Sequence, residues 1–306
     1  MGTKWVDMSS PEQSAREFAR QVLIERMAVV ESILPLAAHH YREDVEHVHQ
    51  LRVGCRRASA ALRAFEPLFT SKPKGVRKWL KRIRNAAGPA RDMDVLLERF
   101  SQESSPDSVT EYAMERLEAE RREAQGKLVQ VAKKASRGKL VESVEKCLRA
   151  LAKDSGTAKQ IDNRELGRIA LRVASNAFLP LSHLSSPTIT ELHQMRIAGK
   201  RMRYSIEIFH AAFPNALREK VYPVIESLQD RLGVINDHAT AQKLFQTWLA
   251  PMEANSLAAE LASRIVSEHK EAKRLRKRFL KWWTDQRVAE LGKQLEDFTR
   301  EANPLR

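Results

Sequence analysis

The chain has 306 residues, 42% of them hydrophobic, enough to bury a sizeable core as one large domain or as two packed halves. Lys and Arg number 53 against 39 Asp and Glu, a formal net charge of +14 that favours a polyanionic partner or an anionic surface. No run of about 18 apolar residues occurs, Met1 to Asp7 carry neither a signal core nor a myristoylation pattern, and Cys55 and Cys147 lack metal or redox spacing. A cytoplasmic protein with reduced thiols and no membrane partner is therefore expected.

Eleven Gly and 12 Pro fall mostly between long periodic segments and no β-branched alternation appears, so helices are expected throughout. The first opens with Ser10 as N-cap, Pro11 at the first helical position and Gln13 completing a capping box, and runs to about Ala38, with Pro35 kinking or ending it. The second spans about Glu43 to Phe69, the third about Lys74 to Ala87 with Gly88-Pro89 as its stop, and the fourth starts near Asp92. Ser108 to about Lys153 makes one or two helices broken at Gly138, and Asp154-Ser155-Gly156-Thr157 reads as the hinge between halves. In the second half Ser186-Pro187-Thr188 opens a helix that Pro214 stops, and the last helices run from about Asn255 to Asp285 and Gln286 to Arg300. The sum is an all-α bundle of ten to twelve helices.

One helical phrase is written twice. Val48-His49-Gln50-Leu51-Arg52-Val53 reappears as Leu192-His193-Gln194-Met195-Arg196-Ile197, 144 residues later. At the same offset Phe65 falls on Phe209 and Phe69 on Phe213, and at 145 the stretch Gly88 to Asp92 falls on Gly233 to Asp237. The chain reads as a duplication, a first repeat of about residues 10–154 and a second of about 158–301, each far longer than a solenoid unit.

Each histidine starts a basic ladder. Turning about 100° per residue from His49, Arg52, Arg56 and Arg63 fall within a stripe about 40° wide, while Leu51, Ala58, Leu62 and Phe65 gather on the opposite face. In the second copy His193, Arg196, Lys200 and Arg203 share a stripe about 80° wide opposite Met195, Met202, Ile206 and Phe209. Arg57 and Arg201 flank these stripes. The next helix adds Lys74, Arg77, Lys81 and Arg84 on one narrow face, with no acidic row beside them. Like charges at this spacing destabilise a bare helix by a few tenths of a kcal/mol per pair, so a compensating anion or an acidic neighbour is expected. Cations about 5.4 Å apart along a helix suit a linear chain of phosphates, which guanidinium forks bind through two oxygens at once.

These residues resemble the CHAD family, the conserved histidine α-helical domain, over nearly the whole chain. The two His-x-x-Arg ladders carry the resemblance, with Lys200-Arg201-Met202-Arg203-Tyr204 and Glu207 in the second copy and Arg91-Asp92-Met93-Asp94-Val95 in the first. It implies a single domain over residues 1–306, built from two pseudo-symmetric repeats, each on a four-helix-like bundle around a basic pocket or channel. The implied partner is inorganic polyphosphate, bound without catalysis and without a cofactor, and the implied place is the cytoplasm, with association to polyphosphate granules. Carried over by position, the ligands are His49, Arg52, Arg56, Arg57, Arg63, His193, Arg196, Lys200, Arg201 and Arg203, joined by Lys81 and Arg84 and, on the same face, Lys74 and Arg77. Glu226 and Gln229 stand in the second half where Lys81 and Arg84 stand in the first, which implies a lopsided site.

Other readings compete. Charge alone would serve a general nucleic-acid or polyanion binder equally well, although Trp5, Trp79, Trp248, Trp282 and Trp283 sit at core spacing and offer no stacking platform. The basic run from His269 to Arg278 is either a solvated face, an extension of the groove or a separate nucleic-acid surface. A metal at His49 or His193 would need convergent ligands, and the neighbours are cations. Asp92, Asp94 and Asp237 each follow a presumed helix stop, where a carboxylate caps the next helix. No Gly-rich phosphate loop or nucleophile beside a base points to an enzyme.

Overall fold

A computed structural model of the chain describes residues 3–8, 13–103, 107–152 and 161–300. Among them are ten α-helices and no strand: α1 Ala15–His39, α2 Glu46–Ala64, α3 Lys74–Ser101, α4 Ser108–Ala135, α5 Lys139–Ala152, α6 Asn163–Ser182, α7 Ile189–Phe209, α8 Tyr222–Leu249, α9 Ser256–Trp282 and α10 Asp285–Thr299. No helix among the described residues is long and apolar enough to cross a membrane.

Helix ends follow local chemistry. Ser14 caps α1 in a reciprocal box with Glu17, while the expected cap at Ser10 and Pro11 lies outside the described residues. Pro35 is carried inside α1 without ending it. The second helix is shorter than its periodicity suggests, because Pro67 supplies no N–H and the chain tightens into a 3₁₀ turn at Glu66–Leu68. Gly138, at φ +82°, separates α4 from α5 as expected. Thr188 opens α7 in a capping box with Glu191, and Asn255 caps α9. The hinge expected at 154–157 lies outside the described residues.

Gly88-Pro89 does not stop a helix. The third and fourth expected helices are one, α3, about 42 Å long. Pro89 forfeits one backbone bond to Asn85, but Ala87, Gly88, Ala90 and Met93 around it are buried, and this packing outweighs the local break. Gly233 likewise lies inside α8. The capping roles expected for Asp92, Asp94 and Asp237 are therefore corrected, since all three sit in mid-helix. Asp94 is buried and accepts a hydrogen bond from Arg121 Nε at 2.5 Å, tying α3 to α4.

The helices α1 to α4 pack each on the next, as do α6 to α9; α5 lies on α1, α3 and α4, and α10 on α6. The halves meet through α1 with α6, α2 with α6 and α7, α3 with α8, and α4 with α9. At the centre the rings of Phe65 and Phe209 meet edge to face at 5.6 Å, with Phe18 against both. Phe100 and Phe245 stack at 5.7 Å in a second cluster with Trp248, Leu117 and Leu261. This aromatic spine fixes α2 beside α7, the seam that carries the basic ladders.

Candidate functional site

The helices α2 and α3 run antiparallel, so that Arg77 of α3 reaches Leu62 near the end of α2 while Gly88 comes against Arg52 near its start. With α7 they enclose an open cavity of about 560 Å³. Its walls are Arg52, Arg56 and Arg63 from α2, Arg84, Asn85, Gly88, Pro89 and Asp92 from α3, and His193, Arg196, Ile197, Lys200, Arg201 and Tyr204 from α7. Seven Arg and Lys side chains thus face a single carboxylate, Asp92.

Each ladder is seated by the next helix. Arg52 Nη2 lies 3.7 Å from Asp92 Oδ1, and a Cβ on Gly88 would come within 2.8 Å of Arg52 Nη1. Arg196 lies over Gly233 less tightly, 3.8 Å from where a Cβ would stand, and in the field of Asp237, and Gln229 Nε2 donates to its backbone carbonyl at 3.0 Å. His193 Nδ1 is 2.7 Å from Asn236 Oδ1, which fixes its ring. Arg196 lines the cavity, and its Nε is buried with no acceptor among the described residues.

Crowding of cations has a cost that is visible in the protonation of the site. Burial, followed by Arg196, Arg56, Arg203 and Arg52, pushes Lys200 down to about 6. Burial, with Arg91, Arg56, Arg52 and Lys200 adding to it, pushes His49 down to about 4. Burial also holds the Arg52 and Arg196 guanidiniums below their ordinary value. An anion entering the cavity would offset the mutual repulsion of Arg52, Arg56, Arg196 and Lys200.

Eight of the expected ligands line the cavity: Arg52, Arg56, Arg63, Arg84, His193, Arg196, Lys200 and Arg201. The others are placed elsewhere. Arg57 Nε donates to Glu207 Oε2 at 2.9 Å, Arg203 lies 3.4 Å from the same buried carboxylate, and Tyr222 Oη donates to it at 2.9 Å. Glu207 thereby draws both guanidiniums out of the ladder and into a bridge between the halves. Arg77 donates to Glu66 Oε2 and to the Leu62 carbonyl, each at 3.0 Å, so an acid from a neighbouring turn supplies the counter-charge absent from its own face. Lys74 lies in a separate cleft with Lys139 and Lys146, and Lys81 is exposed outside the cavity. His49 faces an adjoining hollow with Arg26, Glu46 and Arg57.

Sequence reasoning missed Asn85, Gly88, Pro89, Asp92 and Tyr204 as cavity residues. The signal was present in the repeated Gly-x-x-x-Asp, four residues that stack one turn apart only if the helix continues through Pro89. In α9, Lys270, Lys273, Lys277, Arg278 and Lys281 are exposed and lie outside the cavity. Burial pushes the Cys55 thiol up to about 12 and that of Cys147 up to about 11, so neither is a thiolate at neutral pH. Among the described residues no group of three or more His, Cys, Asp or Glu is placed to hold a metal ion.

The profile of the CHAD domain matches residues 21–246, a span that takes in both ladders and both Gly-x-x-x-Asp stretches. The chain belongs to the CHAD domain family. No curated protein matches the sequence of this CHAD protein. Its fold is that of solved relatives. The CHAD domain of the plant Ricinus communis superposes with a TM-score of 0.65 at 19% identity, covering 99% of this chain and 96% of that one. PptA from Streptomyces chartreusis does so with a TM-score of 0.63 at 20% identity, covering 89% and 99%. The CHAD family is associated with polyphosphate binding.

Proposed function

We propose that this CHAD protein binds inorganic polyphosphate, without catalysis, in the cavity between α2, α3 and α7. The observation that carries the reading is the convergence of seven basic side chains on one cavity with a single carboxylate among its lining residues, three from the α2 ladder, three from the α7 ladder and Arg84 from α3. A polyphosphate chain carries charge along a line, so successive phosphates meet Arg52, Arg56 and Arg63 on one wall and Arg196, Lys200 and Arg201 on the other. The two walls come from the two copies of the repeated phrase, and the duplication thus supplies one site shared by two repeats within a single domain. Asp92 serves as a seat for Arg52 rather than as an acid or base. The protein acts in the cytoplasm, and attachment to polyphosphate granules follows from affinity for their content.

Calorimetric titration with polyphosphate of defined length, beside single-stranded RNA and duplex DNA at the same near-physiological salt, tests this reading. Tight binding of polyphosphate alone is expected. Equal binding of all three would replace it with a general polyanion or nucleic-acid binder.

A further inference from the structure

Lys200 is half-buried in the cavity wall on α7. Arg196 precedes it by one turn and Arg203 follows on the same helix, while Arg52 and Arg56 face it from α2. The acids of the region are engaged with other groups: Asp92 faces Arg52 at 3.7 Å, Glu207 takes Arg57 and Arg203, and Asp237 bears on Arg196. A primary amine flanked by guanidiniums and, among the described residues, without a carboxylate partner gives up its proton more readily than a surface lysine, the arrangement by which a lysine becomes a nucleophile. The same guanidiniums are a docking place for a phosphate group. Amine and anion cradle therefore occupy one cavity.

We propose that Lys200 is a site of covalent self-acylation by small acyl phosphates. The phosphate of the reagent is held by the guanidiniums of Arg52, Arg56 and Arg196, which sets its acyl carbon beside Nζ. The lone pair of the uncharged Nζ attacks that carbon and a C–N bond forms. The C–O bond to phosphate breaks, its electron pair leaves with the phosphate, and the proton shed by nitrogen passes to the departing phosphate or to water. The products are an N-acyl-lysine and inorganic phosphate, with nothing oxidised or reduced. Acylation removes a potential cation from the middle of the α7 ladder and places an acyl group in the cavity, so it weakens polyanion binding, and a bound polyanion in turn shields the amine. The inference rests on the reading of the cavity as a phosphate-capturing site, though not on the length of the chain it takes.

With Lys200 held down to about 6, its uncharged fraction at neutral pH exceeds that of a surface lysine by about three orders of magnitude, an advantage partly offset because a weaker base is a weaker nucleophile. The test is incubation of the full chain with acetyl phosphate at low ionic strength, with occupancy at each lysine followed by quantitative peptide mass spectrometry. Exposed Lys270, Lys277 and Lys281 in the same tube are the reference. Lys200 is expected to acylate at least about tenfold faster at about pH 7.5, with a rate nearly flat between about pH 7 and 9 while the reference rates climb about tenfold per pH unit. A Lys200 rate no greater than the references, or one that climbs with pH as they do, would overturn the inference. Calorimetric titration of untreated protein from the same preparation with polyphosphate separates the two readings. Rapid acylation in a protein that ignores polyphosphate retains this site and rejects the proposed ligand; slow acylation in a protein that binds polyphosphate rejects this site alone.

Discussion

Arg52 and Arg196 are the residues on which the two ladders turn, each laid over a glycine and within the field of an aspartate of the following helix. Glutamate at both positions should reduce polyphosphate affinity by at least about 100-fold, since each reversal removes a bidentate phosphate contact and adds repulsion. Far-ultraviolet circular dichroism should be unchanged, because both side chains line an open cavity rather than the apolar core; unaltered affinity would remove both residues from the site. Lys200 sets the pH dependence. It is held below its ordinary value in the free protein, and a polyanion bound in the cavity raises it, so binding takes up protons and affinity must rise as pH falls. The Lys200 contribution lies above about 6. Titrations in buffers of different ionisation enthalpy read the proton uptake directly, and a pH-independent affinity with no uptake would contradict the cavity's electrostatics. The residue types and their helical spacing were legible in the sequence. The diversion of Arg57 and Arg203 to Glu207 was not, because Arg57 and Glu207 are 150 residues apart and only packing brings them together.

At the scale of elements, periodicity and caps located most helices, and one strong local signal misled. Gly88-Pro89 carries every mark of a helix stop, yet the buried face of α3 runs on through it. Propensity is worth a few kcal/mol at such a point, and burial of Trp79, Leu80, Ile83, Met93 and Leu96 on one continuous face exceeds it. Glycines elsewhere mark close helix contacts that no sequence pattern announces. A Cβ on Gly167 of α6 would come within 2.6 Å of the Phe213 ring and 3.2 Å of Phe209 Cβ. Gly167→Ala should therefore destabilise the protein by about 1–3 kcal/mol through forced displacement of α6 from α7. A chemical denaturation midpoint equal to that of the wild type would show that the ring can move aside freely.

At the scale of the molecule, residues 144 and 145 apart meet one another: Phe65 finds Phe209 and Phe100 finds Phe245, while the ladders of α2 and α7 face a common cavity. Seven basic groups in one place release many counterions when a polyanion binds. The logarithm of affinity should accordingly fall steeply and linearly with the logarithm of salt concentration, and a flat response in the same titration would exclude an electrostatic cavity. The all-helical class, the twofold-written phrase, the excess of positive charge and the eight ladder residues that line the cavity all follow from the sequence, because each is expressed in spacing of a turn or two along one helix. Which cations remain free to bind and which are neutralised was decided by tertiary structure, through Glu207 for Arg57 and Arg203 and through Glu66 for Arg77. So too was the lowering of Lys200 to about 6, since the charge on a side chain depends on burial and on neighbours from other helices, and neither is encoded at any fixed distance along the chain.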